Sequence, residues 1–349
     1  MAALVRLPYF RIAPGTVYET AERIEAPEEL EFDTEGGVDF VTVSQTADIS
    51  AWQWLGAQFD EDVLIRHEDE ILGDQTNEER REQDQRRIEL SKNSAVVVAL
   101  QRLGHELEIT PLGVEVAAIF DCSGADGLLR TGDVIVGVDG NEITLSEELL
   151  EALSTREIGD SVDLMVDRID PNNSAGSIGQ EEVTLTLGSA DDACLAENVR
   201  AEEPRPFIGI SIDQHVREDL PFDVEIDTGR VGGPSAGLSF TLTIIDVLSE
   251  GELTNGLRIV ATGTIDRDGN VGPVGGVHQK TVAADDVGAD VFIVPMCCDN
   301  FVDGSLSNYE EALLHADDVQ IIGVNTLDEA LEAIGELGGN VEPFLRVAE

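Results

Sequence analysis

Lysine is nearly absent from this chain. Of its 21 Lys+Arg residues only Lys92 and Lys280 are lysines, which leaves 19 arginines (21 − 2) against 71 Asp+Glu and a formal charge of −50 over 349 residues. Such a composition cannot supply the basic surface that a phosphate backbone or an anionic membrane face requires. Nucleic acid is therefore excluded as a partner. The acidity itself is that of a heavily hydrated surface suited to salty surroundings.

Other scarcities narrow the chemistry further. The four cysteines, Cys122, Cys194, Cys297 and Cys298, form no C-x-x-C pair, and the adjacent two cannot easily chelate one ion together, so a structural zinc is not expected. Their pairing and the redox compartment stay open on sequence. No apolar run approaches the ~20 residues that span a bilayer. No G-x-x-x-x-G-K-[ST] is present, because Lys92 follows Ser91 and Lys280 follows Gln279; a P-loop driven by ATP is excluded within this polypeptide, and no cofactor is expected.

What is present supports packed cores. Hydrophobic residues make up 42% of the chain, with 34 glycines for turns, and the length predicts two or three domains of mixed α+β character. Residues 1–15 are apolar with two arginines, Arg6 and Arg11. Residues 16–103 predict a small β region around Val38-Asp-Phe-Val-Thr-Val43, followed by one long charged helix from about Phe59. That helix carries Lys92 and buries its last turns at Ala95-Val-Val-Val-Ala-Leu100.

Residues 104–188 are compact and mixed. Strands are expected at Leu112–Phe120, Val134–Val138, Ser161–Val166 and Val183–Leu187, with a helix at Leu145–Leu153, a tight turn at Asp139-Gly140 and a loop over Asp170–Gly176. The run "GLLRTGDVIVGVDGNEI" (127–143) resembles the signature of PDZ domains attached to proteases. The resemblance implies a fold that binds extended peptides by strand addition, and a terminal carboxylate held by backbone N–H groups of a glycine-containing loop. Leu112, Gly113 and Val114 would form that loop by their order along the chain, although they depart from the usual pattern. Such a module can also serve only as a spacer. Residues 189–206 carry charge and proline without periodicity and predict a linker.

The third region, 207–349, holds the chemical signal. A strand-like Phe222–Ile226 precedes Thr228-Gly-Arg-Val-Gly-Gly-Pro-Ser-Ala-Gly237, and an apolar helix follows. A serine at such a junction has glycines that admit a substrate backbone and unpaired helix-start N–H groups for a developing oxyanion. Ser235 is thus a candidate nucleophile; it equally fits an ordinary helix cap. A serine needs a base in reach. The five histidines are scattered and the Gly-x-Ser-x-Gly elbow is missing, whereas Lys280 lies in a hairpin-like segment that enters a helix near Val277. A lysine serves as base when burial keeps its amine neutral, a role no guanidinium can fill.

Taken together, "GPSAG" and the "TGTI…VGPVGG…K" segment resemble the proteolytic domain of the Lon family, with Ser235 and Lys280 45 positions apart (280 − 235). The resemblance covers roughly residues 207–335, including Val291-Phe-Ile-Val-Pro295. It implies Ser235 as nucleophile and Lys280 as general base, with Thr262 beside them and oxyanion donors among the N–H groups around Gly233 and Ser235. Many Lon sequences carry an acid where this chain has Gly232. Over nearly its whole length the chain resembles bacterial membrane-anchored PDZ-Lon proteases of the YlbL type. That resemblance implies an ATP-independent serine endopeptidase acting on unfolded or flexible proteins, a single N-terminal membrane anchor whose first part is missing ahead of Met1, an extracytoplasmic body and a homo-oligomer, commonly a hexamer. A catalytically idle adaptor is the alternative, and hydrolysis of a non-peptide amide or ester a weaker one.

Overall fold

A computed structural model describes residues 6–32, 35–73, 75–120, 123–170, 173–190, 204–250, 253–296 and 306–345. All four cysteines, and most of the expected 189–206 linker, lie outside the described residues. In chain order the principal elements are strands β1 (Tyr9–Tyr18), β2 (Gly37–Thr46) and β3 (Leu64–His67) with helix α1 (Asn77–Arg102); then β4 (Glu108–Ile119), β5 (Val134–Val138), α2 (Ser146–Ser154), β6 (Ser161–Asp170), β7 (Asn173–Thr186) and β8 (Ile210–Asp219). After these come α3 (Gly237–Val247), β9 (Arg258–Ala261), α4 (Val277–Asp286), β10 (Val291–Pro295), α5 (Asn308–His315), β11 (Gln320–Val324) and α6 (Leu327–Glu336).

These elements form two compact units, one of residues 1–107 with 220–349 and one of residues 108–219. The division differs from the one expected on sequence. Residues 16–103 are not a region apart: β2 pairs in parallel with β9, Val38 opposite Ile259 and Phe40 opposite Ala261, so a strand near the start completes a sheet whose other half lies over two hundred residues later. The six strands run β11-β10-β9-β2-β1-β3, parallel from β11 to β2 and antiparallel through β1 and β3.

Strand alternation sends side chains to two cores. Val38, Phe40, Ile259, Ala261 and Ile293 face one cluster with residues of α1, α3 and α6; Val41, Val260, Phe292 and Val294 face another with Val277 and Ala284 of α4 and Ala312 of α5. Helix α3 is buried along its whole length, as its nearly uninterrupted apolar run predicts. Its hydroxyls bond inward: Thr241 Oγ1 donates to the Gly237 carbonyl and Thr243 Oγ1 to that of Ser239.

The long charged helix is shorter than expected. Leu64–His67 is a strand, Glu68–Leu72 a short helix ended by Gly73, and α1 begins only at Asn77. Thr76 and Glu79 set that start as a reciprocal capping box, the Thr76 hydroxyl taking the Glu79 N–H while the Glu79 carboxylate takes the Thr76 N–H.

In the second unit the strand order is β8-β4-β5-β6-β7, around a core that includes Val114, Ile135, Leu164, Leu185 and Leu149 of α2. Asp139-Gly140 makes the expected tight turn. The β6–β7 hairpin extends further than expected, since β6 reaches Asp170 and β7 begins at Asn173.

Candidate active site

Ser235 ends the loop that leads into α3, and Lys280 sits on α4. The two meet: Lys280 Nζ is 2.9 Å from Ser235 Oγ and 2.9 Å from Thr262 Oγ1. The N-cap of α3 is Ala236, with no side-chain cap bond, so Ser235 does not serve as that helix's cap. It is half-buried, whereas Lys280 is 2% exposed and Thr262 is fully enclosed. Burial among apolar groups disfavours the ammonium form and pushes the Lys280 amine from 10.5 down to about 7.

Thr262 links the two. Its hydroxyl donates to the Ser235 carbonyl at 3.0 Å, so toward Lys280 it can only accept. One N–H of a neutral amine is then held on Thr262, which leaves the amine lone pair for the Ser235 hydroxyl. Residues 261–263 are themselves fixed: the Thr262 N–H bonds the Ile293 carbonyl, the Gly263 N–H bonds the Ser235 carbonyl at 2.9 Å, and Ser239 Oγ donates to the Ala261 carbonyl. On α4, the residues just before Lys280 are tied to Asp62, whose carboxylate meets His278 Nε2 at 2.9 Å and whose carbonyl accepts from Gln279 Nε2. The His278 ring stacks on His315 of α5, centroids 3.4 Å apart.

The Gly233 N–H differs from expectation. It donates to the Asp84 carbonyl at 2.8 Å and is occupied as an oxyanion donor in this arrangement. Gly233 has φ +91°, a left-handed conformation that suits glycine. The Ser235 N–H, by contrast, has no acceptor among the described residues. Sequence reasoning missed the part that α1 plays here. Asp84, Gln85 and Ser91 all touch the loop before Ser235, and the one available signal was the spacing of Ile88, Ser91 and Ala95 along one helical face.

The expected carboxylate loop is also corrected. Leu112, Gly113 and Val114 lie inside β4, with Gly113 opposite His215 and Val114 opposite Gln214 of β8, and with Val114 also paired to Ile135 of β5. Gln214 Nε2 donates to the Gly113 carbonyl at 2.8 Å, and its Oε1 accepts the Ser146 N–H at the start of α2. Leu112 is the extra residue where the β4–β8 register shifts between the Gly113–His215 and Pro111–Val216 pairs, so the segment runs as a bulged strand.

Residues 198–334 match the family model of the Lon protease (S16) C-terminal proteolytic domain, and residues 101–186 match the PDZ domain. The chain carries a Lon-type proteolytic domain and a PDZ domain. Within the fold, the Lon-type unit also takes in β1–β3 and α1, which precede that match, while β8, inside the match, belongs to the PDZ unit. The archaeal Lon protease of Methanocaldococcus jannaschii is 27% identical over 204 residues, covering 56% of this chain and 28% of that protein. Lon protease 2 of Bacillus subtilis is 30% identical over 151 residues, covering 43% and 23%. The chain thus spans less than a third of the length of these two relatives. Among solved structures, the PDZ domain of the SdrC-like protein from Listeria monocytogenes is 24% identical, covering 30% of this chain and 92% of that one, with a TM-score of 0.23. No helix among the described residues is long and apolar enough to cross a membrane, and no group of three or more His, Cys, Asp or Glu among them is arranged to hold a metal ion.

Proposed function

We propose that the protein is an ATP-independent serine endopeptidase with a Ser235–Lys280 dyad. The observation that carries this reading is the 2.9 Å approach of Lys280 Nζ to Ser235 Oγ in a site where burial holds the amine pKa near 7. Neutral Lys280 takes the Ser235 hydroxyl proton as Oγ attacks the peptide carbonyl. The tetrahedral oxyanion faces the Ser235 N–H. As the C–N bond breaks, the Lys280 ammonium returns the proton to the leaving amine and an ester to Ser235 remains. Water then adds with Lys280 taking its proton, the ester C–O bond breaks, and the proton goes back to Ser235 Oγ.

Substrates on this reading are flexible or already unfolded chains. The PDZ domain recruits them as an added strand, and the edge that suits this is β8, since β4 is paired on both sides. The N-terminal anchor, the extracytoplasmic location and the homo-oligomer belong to the same proposal, and membrane fractionation of the native protein and light scattering of the purified one test them. The deciding experiment incubates the protein with unfolded casein beside Ser235→Ala and Lys280→Arg. Cleavage by the wild type alone is expected. Equal cleavage by all three removes the dyad, and no cleavage by any of them at several salt concentrations favours an adaptor.

A further inference from the structure

Helix α1 reaches the nucleophile loop at three successive points. Gln85 Nε2 donates to the Val231 carbonyl at 3.1 Å, the Asp84 carbonyl accepts the Gly233 N–H at 2.8 Å, and Ser91 Oγ donates to the Pro234 carbonyl at 3.0 Å. Asp84, Ile88, Ser91 and Ala95 recur at helical spacing, and the last three are buried, so one face of α1 is laid against this loop. The third contact is one peptide bond from the nucleophile. In a planar trans peptide the carbonyl and the following N–H point in opposite directions. Fixing the Pro234 oxygen therefore fixes where the Ser235 N–H points and where the Ser235 Cα, the root of Oγ, sits. Proline cannot help with an N–H of its own. Gly237 leaves the room this needs: a Cβ there would come within 2.8 Å of Ser91 Oγ and 3.0 Å of the Ile265 nitrogen.

We infer that Ser91 is a positioning residue for Ser235, acting through the Pro234 carbonyl to aim both the Ser235 hydroxyl at Lys280 and the Ser235 N–H at the developing oxyanion. The inference rests on the dyad reading above. It makes α1 a working part of the catalytic centre, although α1 lies some 140 residues ahead of the nucleophile in sequence and outside the Lon match.

The test uses the full chain, an unfolded fluorogenic peptide substrate and, independently of substrate, the rate at which a serine-directed phosphonofluoridate labels Ser235, read by intact mass. Ser91→Ala is expected to lower kcat and the labelling rate about tenfold with KM changed less than twofold, the pattern of a misaimed rather than a missing group. Ser91→Thr, which keeps the hydroxyl, should recover most of the loss. Gly237→Ala presses on the same hydroxyl from the other side and should reproduce the kcat loss with KM preserved. Wild-type kcat and labelling in Ser91→Ala overturn the inference, as does a loss that only tracks the unfolded fraction in a melt. Ser235→Ala separates the two levels: if it stays active, or if Ser235 in the wild type takes no label, the dyad reading fails and this inference with it. An inactive Ser235→Ala beside a fully active Ser91→Ala sinks the inference alone.

Discussion

Thr262 accepts a hydrogen bond from Lys280 Nζ at 2.9 Å and donates its own to the carbonyl of Ser235 at 3.0 Å, so a single hydroxyl ties the Lys280 amine to the Ser235 backbone. Thr262→Val keeps the shape and removes both bonds. A buried hydrogen bond to such a group is worth about 1–3 kcal/mol, so kcat/KM on casein-derived peptides should fall roughly 5- to 150-fold. Thr262→Ser should stay within a few-fold of wild type. Equal activity in all three proteins would show that Lys280 needs no such guide.

With Lys280 as the proposed base, the pH dependence of the reaction follows its amine. Its amine is pushed down to about 7 by burial, and only the neutral form can act as base. Activity should therefore climb through pH 7 and level off above pH 8, with kcat/KM reporting the free enzyme. An inflection near 10, the range of an exposed lysine, would mean that the amine is solvated in solution.

In the PDZ unit, Arg168 pairs with the buried Asp133 and also with Glu181, and its NH2 group bonds the Leu128 carbonyl. Burial raises the Asp133 carboxyl, while the Arg130 N–H and Arg168 pull it back. Arg168→Met leaves that carboxylate without its counter-charge, which costs about 3–5 kcal/mol in buried pairs. Urea unfolding of the variant should show a loss of that size, largely recovered in the double variant with Asp133→Asn. A change under 1 kcal/mol would indicate that water reaches Asp133.

These outcomes depend on parts of the molecule that were unequally legible in the sequence. The pairing of Ser235 with Lys280 was legible because each half is a local signal: a glycine-proline-serine turn before an apolar helix, and one isolated lysine after a hairpin. The strands Leu112–Phe120 and Val134–Val138 and the helix after them were legible from alternation and turn residues alone. The partnership of Val38 with Ile259 was not, because strand pairing is specified by side-chain complementarity across space and leaves no mark at either end. The same limit hid the pairing of β8 with β4, which occupies Gly113 and Val114 at the start of the expected Leu112–Phe120 strand and leaves no free carboxylate loop there. Ser91 was hidden for a third reason: its spacing with Ile88 and Ala95 marks a buried helical face, but a small hydroxyl on that face gives no sign of which carbonyl it bonds.

Burying Lys280 should also show in stability. Its folded pKa is lowered from 10.5 to about 7, so between those values the unfolded chain holds a proton that the folded one does not, and stability rises with pH through that window. Below about pH 7 the cost of burial is present in full; toward pH 10.5 it disappears. Lys280→Met has no such cost, and what it loses, the bonds to Ser235 and Thr262, does not change sign with pH. The difference in Tm, variant minus wild type, should therefore be most positive at pH 6–7 and shrink steadily toward pH 10. Comparing the two proteins at each pH cancels the titration of the other acidic and basic groups, which a chain of net charge −50 otherwise imposes on any single curve. A constant difference across that range would mean that the amine stays charged in the folded protein, and a lysine that stays charged cannot be the base for Ser235 near neutrality.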